Sequence, residues 1–142
     1  MVGGDYLLQS FFHQNLQFTR LFTKKLNEQL TAVGLYHSQW AIIYYLKQSG
    51  PSTLVEISQY LNVEKPTVSR TVDRLEKAEL IEKIPSKDKR ERRIQLTDKG
   101  NQVFHEAITV VEAFEQKLME EISQADMEIT YRTIQHLRGK LT

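Results

Sequence analysis

Between Lys65 and Arg93 the chain sets ten Lys and Arg against six Asp and Glu, a net of +4, although all 142 residues together carry only +1. Within that stretch, hydroxyls and guanidiniums recur at helical spacing. Thr67, Ser69, Arg70 and Arg74 follow Lys65 and Pro66 and precede Lys77. Such side chains donate to phosphate oxygens, and a guanidinium that meets guanine edge-on reaches O6 and N7 together. A second basic group, Lys87, Lys89, Arg90 and Arg92 with Asp88 among them, follows. A solvated surface has a similar composition, so the decision rests on the elements that carry these residues. Little else in the chain suggests chemistry. The six glycines form no phosphate-cradling loop, and Ser, His and Asp stand in no nucleophile motif. His13, His37, His105 and His136 are scattered without a metal-binding pair, and there is no cysteine for a disulfide, thiolate site or thiol switch. No catalytic residue, metal or cofactor is therefore expected, and the chain does not read as an enzyme.

The elements around the basic residues are short and well marked. Thr53 and Glu56 stand in capping-box spacing ahead of Leu54, Ile57 and Leu61, one apolar face of a short helix. Residues 62–64 allow only a turn. Pro66 then suits a first helical position, and Val68, Val72 and Leu75 make the buried stripe of a second helix. The arginines and hydroxyls fall on its other face, as in a helix-turn-helix whose second helix enters a major groove. Residues 80–84 and 92–96 read as half-buried strands joined by the polar, basic segment 85–91. A ribbon with a cationic tip after a helix-turn-helix is a wing, placed to reach phosphates or a minor groove. The fold class expected is mainly α with a small β-wing, a winged helix-turn-helix with long N- and C-terminal dimerisation helices.

The chain here resembles the MarR (multiple antibiotic resistance regulator) family of transcription factors. The segment from Asp88 through Arg90 to Arg93 matches the family's wing, and Leu96, Thr97, Lys99 and Gly100 match the "LT-x-KG" after it. Thr67 to Arg70 and Val72 to Leu75 match its recognition helix. The likeness is sharpest from Leu54 to Gly100. One departure is Glu79, where the family usually has glycine after the recognition helix. A helix end without a left-handed glycine is the expectation. The resemblance implies a sequence-specific, homodimeric repressor of a palindromic double-stranded operator, modulated by a small effector. Lys65, Pro66, Thr67, Ser69, Arg70, Arg74, Lys87, Lys89, Arg90 and Arg92 are then the DNA-binding residues. Asp88, paired with a wing arginine, and Arg93 support the wing. The rival reading is a winged helix used as a protein-interaction module.

The flanking regions are long amphipathic helices. Asp5 to about Leu30 carries Leu8, Phe11, Phe12, Leu16, Phe18, Phe22, Leu26 and Leu30 on a wide apolar face. Ser38 is expected to cap a helix over 39–48 that is apolar nearly all round. Thr97 is expected to cap another from Asp98 to about Ile122, with Val103, Ala107, Val110, Phe114 and Leu118 on one face, widened by Val111 and Ile122. Ser123 begins the last, with Met127, Tyr131, Ile134, Leu137 and Leu141 as its stripe. One small winged helix cannot bury three such faces, and a second copy of the chain can. A single subunit is therefore expected, with residues 36–97 as DNA-binding lobe and residues 1–35 and 98–142 as dimerisation region. The family resemblance also implies a pocket for small aromatic or phenolic effectors between lobe and dimerisation helices. Phe12, His13, Leu16, His37, Trp40 and Tyr44 are the candidates, with simple core packing as the other reading. No apolar run approaches the roughly 20 residues that span a bilayer, and no export signal is evident, so no membrane partner and a cytoplasmic location are expected.

Overall fold

The structure is a computed structural model that describes the backbone of residues 3–142 and the side chains from Ser10 onward. Leu8, expected on the apolar face of the first helix, lies outside the described side chains. The elements in order are α1 (Gly3–Leu30), α2 (His37–Ser49), β1 (Ser52–Thr53), α3 (Leu54–Leu61), α4 (Lys65–Lys77), β2 (Ile81–Ile84), β3 (Arg93–Leu96), α5 (Asp98–Leu118) and α6 (Gln124–Leu141). They fall into two compact units, one up to Val111 and one from Glu112 to Thr142.

The core of the first unit is built from short apolar stripes. Ile42, Ile43 and Leu46 of α2, Leu54 and Ile57 of α3, and Val68, Val72 and Leu75 of α4 are all buried, together with Ile81 and Ile94 of the strands. Full burial of such a side chain contributes about 1.5–3 kcal/mol. The sheet is antiparallel in the order β1-β3-β2, with Ile81 opposite Leu96 and Ile84 opposite Arg93. The two wing strands each begin one residue later than the sequence suggests. β1, only two residues long beside Pro51, leaves no periodic signal; it pairs Ser52 with Ile94.

Helix starts follow local chemistry. The α3 start is a capping box: Glu56 N donates to Thr53 Oγ1 at 3.2 Å, and Thr53 N donates to Glu56 Oε1 at 3.1 Å. The Thr53 amide, then its hydroxyl, and more weakly Arg93 hold the Glu56 carboxyl below its ordinary range. Two starts differ from expectation. The α2 cap is Tyr36, whose amide donates to Gln39 Oε1 at 3.0 Å, and Ser38 lies inside the helix. In α4 the first helical residue is Lys65, after Glu64, whose side chain makes no capping bond, so Pro66 sits second; its missing N–H is still an orphan donor position there.

The end of α4 has no left-handed glycine, as expected, yet it keeps the left-handed geometry. Glu79 itself takes the left-handed conformation, with φ of 64°. Glu79 N donates to Glu76 O at 2.9 Å and Leu80 N to Leu75 O at 3.0 Å, the two bonds of a Schellman end. A non-glycine residue in that region costs about 1–2 kcal/mol. Glu79→Gly should therefore stabilise the protein by roughly 0.5–1 kcal/mol after the added flexibility of the unfolded chain is subtracted. The check is a higher urea midpoint at unchanged m-value. A midpoint at or below that of the parent would mean that the Glu79 side chain contributes more than its backbone strain costs.

The segment after the wing clamps this same helix end. Thr97 Oγ1 donates to Glu79 O at 2.7 Å and accepts from Gly100 N at 2.9 Å, capping α5. Thr97 N donates to Leu80 O at 3.1 Å, and Lys99 Nζ donates to Ala78 O at 3.1 Å. Gly100 is buried, and a Cβ built on it meets Leu80 O at 2.0 Å. The Leu96–Gly100 motif thus joins α4, the wing base and α5 through three consecutive carbonyls.

In α5, Ala107 and Val111 are buried as expected, but Phe104 is buried as well, while Val103 and Val110 are only half-buried. The helix also ends earlier, at Leu118. In the second unit Glu121 takes φ of 71° in the turn, and Ser123 Oγ accepts from Asp126 N at 3.0 Å to cap α6. Met127, Ile129, Tyr131 and Leu141 of α6 are exposed, as are Phe12, Leu16, Phe18 and Leu21 of α1. No helix of the described residues is long and apolar enough to cross a membrane.

Candidate nucleic-acid interface

Four buried residues, Val68, Thr71, Val72 and Leu75, set the rotation of α4. They leave Lys65, Pro66, Thr67, Arg70, Arg74 and Lys77 exposed and Ser69 half-buried. Arg70 Nη2 donates to Thr67 Oγ1 at 3.3 Å, and among the described residues neither Arg70 nor Arg74 forms an ion pair. Thr71 is turned inward and donates to Thr67 O at 3.1 Å, which explains a hydroxyl on the apolar side.

The wing loop is built on Asp88. Its Oδ1 accepts the Arg90 amide at 2.9 Å and Arg90 Nε at 3.2 Å, and Glu91 N donates back to Asp88 O at 3.0 Å. The Arg90 amide, then its guanidinium, hold the Asp88 carboxyl below its ordinary range. The wing arginine that Asp88 pairs with is thus Arg90 at the tip. The Arg90 side chain remains 92% exposed, and a pair this open contributes little to stability. Lys87 and Lys89 beside it are also exposed.

The two arginines at the wing root point to different helices. Arg92 Nη2 donates to Asp73 Oδ1 at 2.8 Å and to Glu76 Oε1 at 2.6 Å, both on α4. Arg93 Nη1 donates to Pro51 O at 3.3 Å, and its Nη2 lies 3.8 Å from Glu56 Oε1 on α3. Arg92, expected among the DNA contacts, is therefore engaged inside the chain. Asp73 and Glu76, one turn apart on α4, are the sequence signal for that pairing.

The aromatic candidates separate. Trp40 is buried and stacks on Phe104 with centroids 5.6 Å apart, and Tyr44 tilts against both at 5.7 and 6.5 Å. Phe104 belongs to this cluster although it is not among the candidates; it lies four residues after Gly100 on the same face of α5. Phe12 meets Phe11 edge-on at 5.3 Å and is half exposed, as is Leu16. His13 and His37 are exposed, and the His37 amide donates to Asn27 Oδ1 at 2.7 Å. Among the described residues no three His, Asp or Glu are grouped to hold a metal.

A profile of the MarR family matches residues 35–91, which span α2, the helix-turn-helix and the wing as far as its loop, before β3. The chain is also 41% identical over 124 residues to YwoH of Bacillus subtilis, an uncharacterized HTH-type transcriptional regulator; the match covers 87% of this chain and 90% of YwoH. The chain belongs to the MarR family. As a MarR-family member it is a transcriptional regulator with a DNA-binding winged helix. Its structure is similar to that of Staphylococcus aureus MarR in complex with salicylate and kanamycin, with a TM-score of 0.86, 29% identity and coverage of 96% and 93% of the two chains. A MarR variant from E. coli complexed with operator DNA shares the fold at a TM-score of 0.79 and 21% identity, covering 92% of each chain.

Proposed function

We propose that this regulator is a homodimeric repressor that binds a palindromic operator and is released by a small aromatic or phenolic effector. The observation that carries the reading is the outward face of α4, on which Arg70 and Arg74 stand exposed and outside any ion pair among the described residues. In this reading α4 enters the major groove, with Lys65, Pro66, Thr67 and Ser69 beside the two arginines. Lys87, Lys89 and Arg90 reach the neighbouring minor groove or phosphates. Residues 36–97 form the DNA-binding lobe, and residues 1–35 and 98–142 pair two subunits. The exposed apolar faces of α1 and α6 support that pairing. The salicylate held by S. aureus MarR supports an aromatic effector, and the Trp40–Tyr44–Phe104 cluster offers ring surface for one.

The test combines sedimentation with DNA binding. At low micromolar concentration the protein should sediment as a dimer, because obligate homodimers often lack a stable folded monomer. Fluorescence anisotropy with a duplex selected from random sequence should give a symmetric half-site pattern, and salicylate should weaken that binding. A folded monomer at that concentration would sink the dimer. Failure to select any duplex would favour a protein-interaction role for the winged helix.

A further inference from the structure

Arg92 joins three parts of the lobe. Its carbonyl accepts the Leu54 amide at 3.3 Å, at the start of α3. Its guanidinium bridges Asp73 and Glu76 on α4, and only 23% of its side chain remains exposed. It stands immediately before β3, so its backbone also fixes where the wing leaves the sheet. Burial opposes its charge, and the hydrogen bonds it donates to Asp73 and Glu76 more than offset that, holding the guanidinium more firmly protonated than usual. Two carboxylates on a helix meant to approach phosphates are unfavourable there unless a cation answers them. Arg92 supplies that cation, and the geometry of the bridge sets the wing against α4.

We propose that Arg92 is a positioning residue for DNA binding: it locks the wing to the recognition helix and screens Asp73 and Glu76, and it does not contact phosphate. The proposal rests on the docking described above, with α4 and the wing both on DNA. It assigns Arg90 and Arg92, two residues apart, to opposite tasks. Arg90, paired with Asp88 yet open to solvent, meets the DNA, and Arg92 fixes the direction from which it arrives.

The experiment has two arms, one of which needs no DNA. The absence of native cysteine makes the pair Lys89→Cys and Lys77→Cys a clean site for two spin labels, one on the wing and one at the end of α4. Without DNA, Arg92→Gln should broaden the distance distribution between them, and Arg92→Lys should restore part of the narrow one. A distribution unchanged by Arg92→Gln would overturn the proposal. In the second arm, affinity for the selected duplex is measured at several salt concentrations. Arg92→Gln should lose about tenfold or more, because Asp73 and Glu76 then face the phosphates unscreened, a like-charge juxtaposition. Arg90→Ala should lower the salt slope by roughly one unit for each phosphate it no longer neutralises, and adding Arg92→Gln to Arg90→Ala should lower it no further. The double variant Asp73→Asn, Glu76→Gln should also bind the selected duplex more weakly, although it makes α4 more basic. Tighter binding by that variant would overturn the proposal, and so would a further fall in slope on adding Arg92→Gln to Arg90→Ala, which would identify Arg92 as a phosphate contact. If the parent protein selects no duplex, the docking reading fails by itself, and the label distances still decide whether Arg92 anchors the wing.

Discussion

Gly100→Ala should destabilise the protein by about 3 kcal/mol or more, the upper range for forcing a methyl group into a packed site. The obstruction is backbone: a Cβ at that position meets the Leu80 carbonyl oxygen at 2.0 Å, and Leu96 Cδ2 lies 3.3 Å away. No rotamer change relieves it. Either α5 moves off the wing base, or the Leu80 carbonyl turns and loses the Thr97 amide that it accepts at 3.1 Å. Thr97→Val provides the comparison. It keeps the shape and removes only the hydroxyl that caps α5 and bonds Glu79 O, so a loss of roughly 1–2 kcal/mol is expected. The two changes share one carbonyl cluster, and their effects should not add. Thermal unfolding at fixed protein concentration measures both, with a fall of about 10 °C expected for Gly100→Ala. A Gly100→Ala protein within about 0.5 kcal/mol of the parent would show that α5 does not approach Leu80 this closely.

The second large effect is on DNA recognition. Arg70→Ala or Arg74→Ala should relax preference at one symmetric pair of base positions and lose about 1–3 kcal/mol of discrimination for a guanine contact. Arg90→Ala should weaken binding more evenly across sequences, because a minor groove reports mainly width and A·T content. If Arg90 meets phosphate in both subunits, the salt slope should fall by roughly two units. Folding should be untouched in all three, since these side chains are exposed and the one ion pair among them, Arg90 with Asp88, is open to solvent. Affinity on the selected duplex and on base-substituted versions, over a range of salt, is the measurement. Three variants indistinguishable from the parent would refute the docking proposed here.

Much of the lobe is legible in the sequence because its signals are local. The Thr53–Glu56 box, the Val68–Val72–Leu75 stripe and the alternation in the wing strands each lie within a few residues and act on the backbone directly. What the sequence conceals depends on partners far along the chain. Arg92 reads as one more wing cation until Asp73 and Glu76, on a different helix, are seen to face it. β1 exists only because Ile94 pairs with Ser52; alone, its two residues have no preference strong enough to show. Phe104 escapes notice because the stripe through Val103 is equally apolar, and only its stacking on Trp40 chooses between the two faces. At Glu79, residue type points away from a left-handed end, but Thr97 and Lys99 bind the adjacent carbonyls and hold the chain there.

The hairpin is anchored at its base on both strands. Leu80 is tied to the end of α4, Thr97 to the same helix end, and the register between runs unbroken from Ile81 opposite Leu96 to Ile84 opposite Arg93. Everything from Pro85 to Glu91 hangs beyond that closed frame. The entropy of closing a loop rises by only about 0.6 kcal/mol when its length doubles. Residues added at the tip therefore extend the reach of the arm without shifting α4 or α5. A residue added within a strand slips that strand's register and turns its inward side chains outward, Ile81 in β2 or Ile94 in β3. Variation in arm length among proteins built this way should accordingly collect between Pro85 and Glu91, where a longer or shorter span along the duplex can be tried while the helix that reads the bases keeps its seat.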